Sequence, residues 1–505
     1  MSLNEMSLNN NTASAGLTLS PEQQLALDEF SKGKNIFLTG PGGSGKTELI
    51  KRMVLASEGT YKKCQVCALT GCAAVLLNCK AKTIHSWAGI GLANGLMEEV
   101  VRRVISNKYK MGAWTKIDIL IIDEVSMMSL KLFEILDLIG KKARKNLLRP
   151  FGGIQIVFSG DFYQLPPVGN TGEPNSSAFC FESDLWASTF DTTIQLKTIY
   201  RQTDSTYSDI LNQIRVGKLY KSAFERLAER VNKPLPEASL FKPTILLPRR
   251  KDVDLINITE LAKLGEVEQR KYTIARVDPS ELVTTIDANK PGASNPGNAY
   301  KPGSAYKPGA SNPGNAYKPG AYNPGNAYKP GNVYKPGNVN KPEVSESQKE
   351  MEYAFLENNI MADKEIILKI GSQVMCIANI DMESPTPIVN GSQGIVLEFV
   401  AGFPIVQFNN GEKRLVSYHN WVSENISTIA IKQIPLIHAW AITIHKSQGV
   451  SLDFAQIDVG SNIFECGQTY VALSRIKSLE GLYLTAFNPQ KIKVDKKVQE
   501  FYTHF

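Results

Sequence analysis

The chain has 505 residues, 43% of them hydrophobic and 21% charged, proportions of a soluble globular protein with about three domains. They exclude a wholly disordered chain, a collagen and a small disulfide scaffold. The net charge is +7, from 56 Lys and Arg against 49 Asp and Glu, a faint pointer to nucleic acid whose meaning depends on where the charge lies.

Residues 1–18 are polar, contain a duplicated MSLN and are expected to be disordered. They lack the basic start and apolar core of a signal peptide, and the first arginine is Arg52, which argues against an Arg-rich transit peptide. No run of about 18 apolar residues exists, so no membrane span is expected. The seven cysteines are odd in number and scattered. They imply no disulfide framework and suit an intracellular, reducing compartment, with nucleus, cytoplasm or viral factory left open.

Ordered chain is expected from Leu19, where Ser20-Pro21-Glu22-Gln23 reads as a capped helix start. Residues 34–39 form a short apolar strand that runs into Gly40-Pro41-Gly42-Gly43-Ser44-Gly45-Lys46-Thr47, a GxxxxGK[ST] pattern in its required strand-to-helix context. Glycine-rich backbone amides and a helix N-terminus can wrap phosphates. Lys46 is then expected to reach the β- and γ-phosphates of ATP, and Thr47 to bind Mg²⁺. Further strands are expected at 66–69, 117–122, 154–158 and 192–196, separated by helical stretches, which predicts a parallel sheet covered on both faces. The apolar run 119–122 ends in Asp123 and Glu124, placed to hold Mg²⁺ and to polarise an attacking water.

A second α/β block is expected from strands at 244–247, 436–441, 454–458 and 482–486. Between its halves, 368–422 carries strand-like runs and the turns Asn390-Gly391 and Asn410-Gly411, and reads as an inserted all-β barrel. Residues 290–342 are different again. They hold seven lysines, no acid and repeated YKPG units. Without those seven lysines the chain has 49 basic and 49 acidic residues, so the excess charge belongs to this segment. It has too few large apolar residues for a core and reads as a disordered surface insert. The alternative is a strand- or partner-binding arm, since lysines interleaved with tyrosines can bind phosphate and stack on bases.

The string from Asp123 to Asn146, DEVSMMSLKLFEILDLIGKKARKN, resembles the signature of Pif-family DNA helicases, in the Pif/RecD-like group of superfamily one. Other strings agree in family order. Leu19 to Gln23 resembles the motif that reads adenine, which implies that Gln23 faces the base. Thr70 to Ala74 and Thr83 to Ser86 are similar to early DNA-contacting motifs. Ser159 to Val168 (SGDFYQLPPV) resembles the motif in which Gln164 would sense the γ-phosphate. Leu196 to Arg201, Ala441 to Gly449 (AITIHKSQG) and Tyr470 to Arg475 (YVALSR) resemble later motifs, with Arg201 and Arg475 implied as fingers on the γ-phosphate. Thr70, His85, His445, Lys446 and Ser447 are the implied DNA contacts. Trp87 and Phe162 lie in these motifs, but base stacking needs exposure and a core aromatic is the default.

The resemblance implies two RecA-like parallel-sheet P-loop domains with a small SH3-like barrel inserted in the second. The expected division is a disordered 1–18; a first RecA-like domain at 19–218, with a small wedge insertion near 78–112; a second at 219–286 and 426–505; the low-complexity insert at 287–345; and the SH3-like domain at 346–425. It further implies an ATP- and Mg²⁺-dependent helicase moving 5′ to 3′, in replication, repair or recombination. The implied partners are single-stranded DNA and forked duplex DNA, with a monomer as the active form. The rival readings are an RNA-directed or non-unwinding ATPase and a catalytically silent nucleic-acid-binding protein. Such an insert in a minimal core would suit a viral or mobile-element protein.

Overall fold

The computed structural model describes residues 19–77, 79–91, 93–169, 172–235, 242–277, 345–380, 386, 388–423, 426 and 428–504. The N-terminal 1–18 and the YKPG segment lie outside the described residues.

Six parallel strands build the first sheet: β1 (Ile36–Thr39), β2 (Cys64–Ala68), β3 (Lys82–Thr83), β4 (Ile119–Asp123), β5 (Gln155–Gly160) and β6 (Thr192–Gln195). Their order is β3-β2-β4-β5-β1-β6. β1, β4 and β5 are buried along their whole length, which is why they read as unbroken apolar runs rather than alternating ones. The expected strands are therefore all present, within two residues at most of their ends. Ser20 caps the first helix, Pro21–Ser31, with Gln23 closing a capping box. The stretch near 78–112 is largely helical, and Val100, Val101, Val104 and the nearby Trp114 are buried in the first sheet's core.

The second half is more interwoven than the sequence suggests. β7 (Thr244–Leu247) is followed by β8 (Gln269–Thr273), β9 (Ala275–Arg276), β10 (Glu365–Lys369), β11 (Gln373–Cys376), β12 (Gln393–Val400), β13 (Phe403–Phe408), β14 (Lys413–Leu415), β15 (His419–Val422), β16 (Ala430–Gln433), β17 (Leu436–His438), β18 (Ala441–Thr443), β19 (Ala455–Val459) and β20 (Leu482–Phe487). The second parallel sheet is β18-β7-β19-β20. β-Structure between its halves forms three antiparallel sheets, β10-β8, β14-β13-β12-β11-β17 and β15-β16-β9. One core, including Tyr272, Leu368, Val374, Val396, Val406, Phe408 and Leu436, joins the first two. Gly391 and Gly411 both take positive φ; Asn410-Gly411 lies in the hairpin between β13 and β14, whereas Asn390-Gly391 ends the longer connection from β11 to β12.

Two expectations are corrected. The single strand at 436–441 is two strands in different sheets. Leu436–His438 pairs with β11, whereas Ala441–Thr443 pairs with β7. The crossing at Ala439 is fixed by its carbonyl, which accepts from Thr244 Oγ1 at 2.6 Å and Gln373 Nε2 at 3.0 Å. A continuous apolar run hides such a change of sheet. The chain end also does not stay with the second sheet. The last helix, Lys496–Tyr502, buries Val498 in the first sheet's core.

Candidate active site

Ligands in open parallel sheets bind beyond the C-terminal ends of the strands. There, β1 delivers the glycine loop, β4 delivers Asp123 and Glu124, and β5 leads to Asp161 and Gln164. Gly45 takes a left-handed φ of 83° and starts the helix Lys46–Glu58 without a side-chain cap, so the first-turn amides of that helix have no capping side chain to bond and can meet an anion. The loop is packed too closely for side chains. A Cβ on Gly40 would lie 2.6 Å from Leu196 O, and one on Gly43 2.5 Å from Arg201 Cβ. Ser44 is buried, and Thr47 is exposed on the first helical turn. Lys46 Nζ donates to Gly40 O at 2.7 Å and Pro41 O at 3.0 Å. Burial lowers its pKa, opposed by the charges of Asp161, Glu124 and Asp123.

Asp123 is buried, 6% exposed, and desolvation raises its pKa. Glu124 stands in left-handed backbone, φ 57°, a conformation that costs a non-glycine residue about 1 kcal/mol. Burial first, then the neighbouring Asp123, raises its pKa to about 7, against the opposing pull of Lys46 and Arg475. A divalent cation at these carboxylates would favour their ionised forms. A carboxylate and a hydroxyl, as Asp123 and Thr47 offer, are oxygen donors of the kind Mg²⁺ takes.

Two guanidiniums face the loop. Arg201 follows β6, and its Nη1 donates to Ser474 O at 3.2 Å. Arg475 follows the helix Gln468–Leu473, beside the second sheet, and is 2% exposed. It donates from Nε to Val471 O at 2.9 Å and from Nη2 to Ser474 Oγ at 2.7 Å. Burial lowers both pKa values, and for Arg475 the Arg201 charge adds to the effect. An anion between them would reverse that cost. The second sheet reaches the loop directly: Gly42 N donates to Tyr470 Oη at 2.8 Å, and a Cβ on Gly42 would lie 3.5 Å from Arg475 Nη2. Gln164 is buried, its backbone N–H donating to Asp161 O at 2.8 Å. Gln23 lies at the loop's other side. Its Oε1 accepts from Ser20 N at 3.0 Å, and its Nε2 donates to Ser44 O at 3.4 Å.

Sequence reasoning missed several neighbours. Tyr200, 47% exposed, sends its hydroxyl to Gln23 Oε1 at 3.5 Å. Its position just before Arg201 was the only signal. Asp161 and Arg215 form a fully buried two-pronged ion pair at 2.8 and 2.9 Å, with Arg215 over the Tyr163 ring at 4.6 Å. Gln202 donates to Ser474 O and Ile476 O. None of these carries a spacing pattern of its own.

The candidate DNA contacts divide between the two sheets. Thr70 follows β2, and its Oγ1 accepts from Ala73 N at 3.2 Å. His85 follows β3 and is half-buried, which lowers its pKa. A groove of about 340 Å³ in this region is lined by Lys80, Lys82, Thr83 and Ser86 together with Glu352, Phe355, Leu356 and Trp421, so its wall is largely apolar. His445 and Lys446 follow β18 and are partly accessible. Burial lowers the pKa of His445, and Glu465 opposes the shift. Ser447 is fully buried, its hydroxyl donating to Ile444 O at 2.7 Å, so the side chain does not face a strand in this conformation. Trp87 and Phe162 are 7% and 2% exposed and pack in the first core. Both are core aromatics rather than stacking platforms. Among the described residues, no helix is long and apolar enough to cross a membrane.

A family model described as PIF1-like helicase matches residues 18–224. The chain is 31% identical over 493 residues to an ATP-dependent DNA helicase Pif1 of Bdellovibrio bacteriovorus, covering 97% of this chain and 92% of that protein. Among solved structures, Pif1 helicase from Candida albicans matches with a TM-score of 0.68 at 30% identity, over 97% of this chain and 100% of that one. Bacteroides Pif1 bound to ssDNA matches with a TM-score of 0.59 at 26% identity, over 97% of both chains. The chain spans about 63% of the length of the animal relatives it matches.

Proposed function

The chain belongs to the PIF1-like helicase family, and from that premise we propose that it is an ATP-dependent DNA helicase that moves 5′ to 3′ along single-stranded DNA and opens forked duplexes. The observation that carries the mechanism is the meeting of Gly42, from the first sheet's loop, with Tyr470 and Arg475 from the second. A γ-phosphate held there would bridge the two domains.

In this reading Lys46 leaves the Gly40 and Pro41 carbonyls for the β- and γ-phosphates. Thr47 and Asp123 would hold Mg²⁺, which would neutralise phosphate charge when bound. Glu124 takes the proton of the attacking water, Gln164 senses the γ-phosphate, and Gln23 with Tyr200 borders the adenine. Arg201 and Arg475, held at a desolvation cost without a carboxylate partner among the described residues, gain most as negative charge shifts toward the β–γ bridging oxygen in the transition state. Loss of the γ-phosphate then removes the bridge and lets the cleft open. Thr70 and His85 of the first sheet and His445 and Lys446 of the second are the residues proposed to touch the strand, through its phosphates.

The test is ATPase stimulation. Single-stranded DNA is expected to raise ATP hydrolysis at least about tenfold more than RNA of the same sequence. Equal or greater stimulation by RNA would overturn the assignment of DNA as substrate.

A further inference from the structure

We propose that Tyr502 is a positioning residue for ATP hydrolysis, its hydroxyl tying the root of the phosphate loop to the root of the Gln164 turn. The inference rests on the ATPase reading above.

The final helix leaves the second sheet and docks on the first. Phe501 stacks on Phe181 with ring centres 4.3 Å apart and lies 5.4 Å from Phe162. Lys497 pairs with Glu182 at 2.6 Å. These contacts, with buried Val498, hold the helix in place without the Tyr502 hydroxyl. That hydroxyl is nonetheless sited at a junction. It lies 2.6 Å from Thr39 Oγ1 and accepts the Phe162 amide at 3.2 Å. Thr39 immediately precedes Gly40, and Phe162 stands two residues before Gln164. One oxygen thus fixes the spacing between the loop that grips phosphate and the turn that carries Gln164.

The ring takes part as well. It stacks on Tyr163 at 4.7 Å and 13°, and Arg215, paired with Asp161, lies 5.6 Å from its centre. Burial raises the phenol pKa, so the hydroxyl stays protonated and keeps both a proton to give and a lone pair to accept with. Small errors in such spacings are amplified in rate, because hydrolysis requires loop and turn to meet one phosphate at once.

The test uses the full chain with single-stranded DNA and the variants Tyr502→Phe, Thr39→Val, Thr39→Ser and the double Tyr502→Phe/Thr39→Val. Tyr502→Phe is expected to lower kcat for ATP by about three- to tenfold while KM stays within about twofold. Binding stoichiometry for fluorescent ADP should remain that of the wild type. Thr39→Val should match it, Thr39→Ser should restore the rate, and the double variant should fall no further than the worse single one. A wild-type kcat in Tyr502→Phe overturns the proposal, as does a loss of activity proportional to a loss of ADP-binding sites, or additive losses in the double variant. A wild-type chain without ATPase activity removes the underlying reading. An active wild type with an unimpaired Tyr502→Phe removes this inference alone.

Discussion

Gly467 offers the sharpest test of how the two domains meet. It caps the helix that leads to Arg475 with a left-handed φ of 71°. A Cβ there would lie 2.3 Å from Gln164 O and 2.6 Å from Tyr163 O. Both are backbone atoms of the opposite domain, so no side-chain rotation relieves the clash. In Gly467→Ala the contact must open by about 1 Å to reach ordinary packing distance. That displacement separates Arg475 and Tyr470 from the phosphate loop, whereas the loop's contacts within the first domain remain. A misplacement of about 1 Å at a reacting centre can lower the rate by about 100-fold. The positive φ adds strain of about 1 kcal/mol in any state of the cleft. Steady-state ATPase in saturating single-stranded DNA should therefore show kcat down by about 30- to 100-fold, with ADP affinity within about threefold of wild type. A kcat within about threefold of wild type would refute the claim that hydrolysis needs this close approach.

Other outcomes follow from the same geometry. Lys46→Ala should abolish ATP hydrolysis while single-stranded DNA still binds in a gel-shift assay, since none of the proposed strand contacts lies in the loop. Glu124 has its pKa raised to about 7, so its base form is lost at higher pH than for an ordinary glutamate. In wild type, kcat/KM should fall as pH drops through that value, whereas Glu124→Gln should be slower by about 100-fold or more and lack this limb. Arg215→Met leaves the fully buried Asp161 carboxylate without its partner and should cost about 3–5 kcal/mol of stability in thermal unfolding. The double variant Asp161→Asn/Arg215→Met should recover part of that loss, since an uncharged pair leaves no bare charge.

Elements with a period or a fixed motif could be read from the chain. The buried strands of the first sheet, the Ser20–Gln23 cap and the glycine loop each follow from local chemistry, and all appear near their expected bounds. Features set by long-range contact left no local trace. The apolar run 436–443 contains nothing to show that Ala439 and Trp440 pass between sheets. Residues 426–505 read from the sequence as wholly part of the second domain, and only packing sends Phe501 into a cluster with Phe37, Phe162 and Trp186. Within the site, Lys46, Asp123 and Glu124 announce themselves by spacing. Asp161, Arg215, Tyr200 and Tyr502 gain meaning only from their partners. Trp87 and Phe162 lie in helicase-like motifs, and their burial decides for the core reading, which is the default for an aromatic.

The measurement that bears most directly on the central claim compares duplexes carrying only a 5′ or only a 3′ single-stranded tail, with wild type and Lys46→Ala. ATP-dependent opening of the 5′-tailed duplex by wild type, and none by Lys46→Ala, is the expected result. Preferential opening of the 3′-tailed duplex, or unwinding unchanged by Lys46→Ala, would contradict the account.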